Sequence, residues 1–154
     1  MKFFISSGRI GIKYIGEYLG ADRRSLEIFI PKNLSKCVLR TIINYFYPTQ
    51  SISKSTKAVL VYHEYGYPQK KEVFEESKNR DLYIIEDCAH SYYTVSKDYN
   101  IGDMGNVSIY SLPKFFDCTM GGFLSTNDKG LIASLRSKKT KTKDIVLYYI
   151  ARLL

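Results

Sequence analysis

A carboxylate and an amine stand where one fold edge could gather them. Tyr83-Ile84-Ile85 runs into Glu86-Asp87, and Ser108-Ile109-Tyr110-Ser111 runs toward Lys114. Both apolar runs read as short strands, and the chemistry-bearing residues follow at their carboxyl ends. Near the start, Ser7-Gly8 precedes an amphipathic run and so opens a helix whose first N–H groups lack partners. An acid, an amine and a helix N-terminus on one edge suit a phosphorylated ligand that carries a carbonyl. The helix end takes phosphate through its amides and partial positive charge. A lysine in a partly desolvated pocket forms a Schiff base with the carbonyl. A carboxylate beside a pyridine nitrogen keeps that nitrogen protonated, and together these are the requirements of pyridoxal phosphate (PLP). The residue types alone leave a plainer reading open, with Glu86 and Asp87 as surface charges after a strand and Lys114 as one exposed lysine among many.

The elements that must position these groups alternate in type. Ile10, Ile12, Tyr14, Ile15, Tyr18 and Leu19 recur at helical spacing, and Gly20 closes the helix. Leu26 to Ile30 reads as a strand stopped by Pro31. Helical spacing resumes from Ser35 to about Phe46, and Pro48 with the polar run Thr49 to Thr56 reads as a loop. Lys57 to Tyr62 is a nearly continuous apolar strand of the buried kind. Gln69 to Arg80 is a charged helix, Leu82 to Ile85 and Val107 to Ser111 are short strands, and Phe123-Leu124-Ser125 is a strand before a helix opening at Asn127-Asp128. Such alternation predicts an α/β fold: a mostly parallel sheet with helices on both faces, joined by right-handed crossovers. Ligands in such sheets sit beyond the carboxyl ends of strands, where Asp87 and Lys114 fall.

Composition narrows the class. The 154 residues are 45% hydrophobic and 25% charged, too apolar for a disordered chain. No stretch reaches the ~18 uninterrupted apolar residues of a membrane span, and Met1 to Ile5 turns polar at Ser6-Ser7-Gly8, unlike a secretory leader. Cys37, Cys88 and Cys118 are odd in number and widely spaced, which argues against a disulfide scaffold or zinc site and for a reducing cytoplasm. Of the net charge of +8, residues 136–154 carry +5, from six Lys/Arg against Asp144. The excess is one local cluster. It reads as a solvated helical segment, with Ile145, Val146, Tyr149 and Ile150 on one face, and a nucleic-acid or lipid-surface role is the rival use of it. Cys88 reads as a small buried apolar residue, and His63, Tyr65, His90 and Ser111 each have an ordinary packing or strand-end reading as well.

Four motifs in order turn these residues into a pattern. Tyr83-Ile84-Ile85-Glu86-Asp87-Cys88-Ala89-His90-Ser91 resembles the "IIEDCAHS" signature of PLP-dependent sugar aminotransferases of the DegT/DnrJ/StrS type. Lys57 to Pro68 is similar to that family's "KAVLVVHYFGYP" stretch. Tyr110-Ser111-Leu112-Pro113-Lys114, with Gly121-Gly122 and Ser125 to Asp128, resembles its segment around the cofactor lysine, and Ser6-Ser7-Gly8-Arg9 resembles its phosphate turn. The resemblance implies that Lys114 holds PLP and moves protons, that Asp87 pairs with the pyridine nitrogen, and that His90 lies near the ring's 3-hydroxyl. Ser111 and the amides of Gly8 and Arg9 become phosphate ligands. It also implies part of the large domain of the aspartate-aminotransferase-like fold (PLP fold type I). The partners implied are a keto-sugar nucleotide, glutamate or glutamine as amino donor, and a second copy in a homodimer; neither nucleic acid nor membrane is among them.

The sequence departs from that pattern in several places. Its length implies a truncated member without the C-terminal small domain, divided into residues 1–135 as a partial PLP-binding domain and 136–154 as a basic helical segment. Between Ile42-Ile43 and Lys57 a strand of the family is expected to be missing. Lys32 to Lys36 lacks the aromatic residue that stacks on the cofactor, and Pro113, where the family often has Arg, is expected to alter the approach of Lys114. A catalytically inactive remnant, or half of a split protein, is therefore the alternative to an active transaminase.

Overall fold

Apolar residues that alternate along Thr56–Tyr62 place side chains on two opposite faces, and both faces are buried. Ala58 and Leu60 join one core cluster, while Val59 and Val61 join a second. The fold is described by a computed structural model covering residues 1–21 and 25–138. Its elements run β1 (Lys2–Ile5), α1 (Gly8–Tyr18), β2 (Glu27–Phe29), α2 (Lys36–Tyr45), β3 (Tyr47–Thr49), β4 (Thr56–Tyr62), α3 (Lys71–Asn79), β5 (Tyr83–Asp87), β6 (Val107–Ser111), β7 (Gly122–Thr126) and α4 (Lys129–Ser137). The strands form one seven-stranded sheet in the order β1-β7-β6-β5-β4-β2-β3. Only β7 opposes its neighbours; β2 to β6 pair in parallel, and β1 shares their direction.

Helices α1, α2 and α4 cover one face through Ile12, Ile15, Ile42, Leu131 and Leu135, and α3 covers the other through Phe74. The caps follow the chemistry of the chain. Asp128 accepts the amides of Gly130 and Leu131 at 2.9 and 3.1 Å, opening α4. Gly20 takes φ +68 after α1, and the Ala21 amide reaches back to Gly16 O at 2.9 Å, closing the helix as its sequence predicts.

Two strands correct the sequence reading. β1 was not expected, because four residues carry too little periodicity and its partner β7 is remote in the chain. The expected strand loss between Ile43 and Lys57 does not occur, since Tyr47–Thr49 forms β3 against β2. Pro48 makes that stretch read as a loop, yet β3 is an edge strand and a missing N–H there breaks no ladder. Of the expected basic segment 136–154, Arg136 and Ser137 end α4, and residues 139–154, including the proposed helical face from Ile145 to Ile150, lie outside the described residues. No described helix is long and apolar enough to cross a membrane.

Candidate active site

The carboxyl ends of β4, β5 and β6 bring Tyr62, Asp87 and Ser111 to one edge, with Tyr62 directly opposite Asp87 in the ladder. The chain leaving β1 reaches the same edge as Ser6-Ser7, and Ser7 caps α1 by accepting the Ile10 amide. Gly122 starts β7 between Ile5 and Ser111. A Cβ on Gly122 would lie 2.3 Å from the Tyr110 carbonyl, so only glycine lets these strands close here. Gly121, at φ +125, donates to Ser6 O at 2.9 Å and accepts from Leu112 N at 3.0 Å. Those two bonds tie the turn before α1 to the one-turn 3₁₀ helix Leu112–Lys114.

All six residues singled out in the sequence line one cleft of about 540 Å³: Gly8, Arg9, Asp87, His90, Ser111 and Lys114. Pro113 does not remove Lys114 from it. The proline occupies an early position of the 3₁₀ turn, where no N–H is needed. The stretch after Pro31 contributes Leu34 to the wall and α2 contributes Val38, and Tyr62 brings the aromatic ring of a tyrosine. Tyr62 escaped the sequence reading because it ends an apolar strand, although the strand-end rule that found Asp87 selects it equally.

Burial dominates the electrostatics. Asp87 is 4% exposed, and burial raises its carboxyl from 3.8 to about 6 against the opposing pull of the Ala89 amide on Oδ1 and the Lys114 charge. Burial, and then Lys114, lower the His90 imidazole. His90 Nδ1 lies 3.0 Å from the Tyr62 hydroxyl. Cys88 is raised by burial, which fits the apolar reading rather than a nucleophile. Beneath the edge, fully buried Glu86 accepts from His63 Nε2 at 2.9 Å and from the amides of Gly102, Met104 and Gly105 at 2.7, 3.2 and 3.1 Å. His63 is thus a satisfied interior residue, with Nδ1 accepting the Gln69 amide at 3.1 Å.

The donor set fits PLP. An amine can meet the aldehyde, a buried carboxylate can meet the ring nitrogen, and the first turn of α1 has, among the described residues, no partner for the Gly8 and Arg9 amides and no acidic side chain to repel a phosphate. The cleft volume is in the ordinary range for small-ligand sites.

The fold is that of the type I PLP aminotransferases. DesV of S. venezuelae superposes with a TM-score of 0.77 at 21% identity, covering 90% of this chain and 43% of that one. PseC of Helicobacter pylori, an aminotransferase involved in the biosynthesis of pseudoaminic acid, gives 0.75 at 16% identity over 90% and 43% of the two chains. Residues 1–153 match the model of the family described as "Putative PLP-dependent aminotransferase", and the chain belongs to that family. Among curated proteins it is similar to GDP-perosamine synthase of Escherichia coli O157:H7, 36% identical over 85 residues that cover 53% of this chain and 23% of the relative. It is also similar to the spore coat polysaccharide biosynthesis protein SpsC of Bacillus subtilis, 30% identical over 89 residues covering 56% and 23%. The match thus spans about a quarter of these curated relatives. The resemblance to DegT/DnrJ/StrS-type aminotransferases stands on these relatives.

Proposed function

We propose that the cleft holds PLP and that the chain is the cofactor-holding part of an aminotransferase acting on a keto-sugar nucleotide, with glutamate or glutamine as amino donor, in polysaccharide or glycan biosynthesis. The single observation that carries this reading is the meeting of six candidate residues, from Gly8 to Lys114, on one cleft. The names of the relatives support the sugar assignment, since one is a GDP-perosamine synthase and another acts in spore coat polysaccharide biosynthesis.

Lys114 Nζ would hold the cofactor through its aldehyde, with loss of water, and would move protons at the reacting carbon. Asp87 would accept the ring N–H, and the positive ring nitrogen would favour the carboxylate that burial alone disfavours. Of the residues lining the cleft, the amides of Gly8 and Arg9 and the Ser111 hydroxyl would bind the phosphate, and His90 would meet the ring oxygen. When bound, PLP supplies the electron sink that makes the substrate proton removable. In this reading residues 1–135 are the PLP-binding unit and 136–154 an appended basic segment. The working form is a homodimer in the cytoplasm, where its three free thiols stay reduced.

A second reading, a catalytically inactive PLP-fold chain, draws on one observation: Leu34 and Val38 form the wall where a stacking aromatic ring is expected. Visible spectra of the protein with added PLP, before and after borohydride, separate the two. Wild type should show a lysine-bound band that borohydride fixes to the Lys114 peptide, and Lys114→Ala should lose both. Identical behaviour of the two proteins would refute the assignment of Lys114 and favour the inactive chain.

A further inference from the structure

A neutral histidine offers its one ring proton from either nitrogen, and the choice decides whether a ligand meets a donor or an acceptor. His90 lines the cleft, and among the described residues its Nδ1 is bonded by the Tyr62 hydroxyl at 3.0 Å. Burial, followed by the Asp87 charge, keeps the Tyr62 phenol protonated, and among the described residues His90 Nδ1 is the partner that its hydroxyl reaches. The phenol proton is left for Nδ1. Burial and Lys114 favour the neutral imidazole, and a neutral ring that accepts at Nδ1 bears its own proton on Nε2.

The surrounding turn holds this arrangement in place. Tyr65 stacks on His90 with centroids 6.1 Å apart and planes at 15°. It does so from a left-handed backbone at φ +51, a conformation kept only where neighbours enforce it. Gly66 follows at φ +85, and a Cβ there would lie 2.8 Å from the His90 carbonyl. Thr94 Oγ1 donates to Gly66 O at 2.9 Å, clamping the turn onto the His90 segment.

We infer that Tyr62 is a positioning residue that fixes His90 as the Nε2–H tautomer, so that the cleft presents a neutral N–H donor to an anionic oxygen on the cofactor ring. The inference rests on the reading of the cleft as a PLP site. Its test uses the full chain labelled with 15N-histidine, without cofactor, at pH 8. The chain has two histidines, and His63, held between Gln69 and Glu86, serves as an internal fold control. Wild type should show His90 protonated at Nε2. In Tyr62→Phe the His63 pattern should persist while the two His90 nitrogens shift toward a common average. Tyr62→Leu serves the same purpose should the phenylalanine variant lose the His63 pattern. A wild-type proton on Nδ1, or an unchanged His90 in the variants, overturns the inference.

Binding of added PLP supplies the second readout. Tyr62→Phe should weaken it by about two- to tenfold, the worth of one oriented hydrogen bond. A changed tautomer with unchanged affinity overturns the positioning role. A wild type that binds no PLP overturns the cofactor reading, and the cofactor part of this inference with it, while the tautomer result stands as measured.

Discussion

Replacing Asp87 with asparagine should make the cofactor-free protein more stable, and only above a defined pH. Burial raises the Asp87 carboxyl from 3.8 to about 6. The folded state then binds this proton more tightly than the unfolded state does. Stability from the group is fully present below pH 3.8 and is lost as pH rises through about 6. A shift of about two units corresponds to about 3 kcal/mol at roughly 1.4 kcal/mol per unit, a large part of a small domain's stability. The asparagine would keep the acceptor that takes the Ala89 amide and would carry no charge to bury. Urea unfolding of both proteins between pH 5 and 8 isolates this contribution, because the other carboxylates are common to both and any constant offset drops out. The advantage of Asp87→Asn should grow with pH and level off above about pH 7, with a total rise of roughly 1.5 kcal/mol across that window. A flat difference, or one that falls with pH, would show that Asp87 is not a strained buried acid. The same variant should lose amino-transfer activity by about a hundredfold or more where the complete site operates, as expected for removing a proton-holding group.

Glu86→Ala should cost about 3–5 kcal/mol in urea unfolding, because it strands His63 Nε2, the buried Gly102 amide and the half-buried Met104 and Gly105 amides without their acceptor. Gly122→Ala should destabilise by about 1–3 kcal/mol or prevent folding, since its Cβ would meet the Tyr110 carbonyl at 2.3 Å; a neutral result would mean that β6 and β7 separate easily at this end. Lys114→Ala should unfold within about 0.5 kcal/mol of wild type, because the side chain is exposed. Loss of PLP fixation in that variant then reports on chemistry and not on folding.

Much of the site was legible because its chemistry sits at strand ends. Asp87 and Ser111 terminate apolar runs, and Lys114 lies three residues past one, so the strand-end rule finds them without knowledge of the sheet order. Glu86 was harder. Adjacent residues on a strand face opposite sides, and nothing local says that Glu86 meets His63 and the Gly102–Gly105 loop while Asp87 meets the cleft. The pairing is non-local and appears only once β4 and β5 lie side by side. β3 was hidden by Pro48, whose loop signal holds for a central strand and fails at an edge.

The missed strand β1 bears on why groups about a hundred residues apart meet at all. Without β1, the turn Ser6-Ser7-Gly8 has no fixed place, and a helix N-terminus somewhere on the molecule is no phosphate site. Pairing β1 with β7 puts Ile5 opposite Gly122, and pairing β7 with β6 puts Ser111 opposite the same glycine. The antiparallel strand between two strands of common direction therefore sets the end of β1 beside the end of β6. Gly121 then bonds to Ser6 on one side and Leu112 on the other, holding the start of α1 against the lysine turn. Parallel order β6-β5-β4 extends the edge to Asp87 and Tyr62. Glycine at 121 and 122 is thus as much a part of the site as the lysine: a side chain at either position would strain or block the closure that brings a phosphate ligand and an amine within reach of one small molecule.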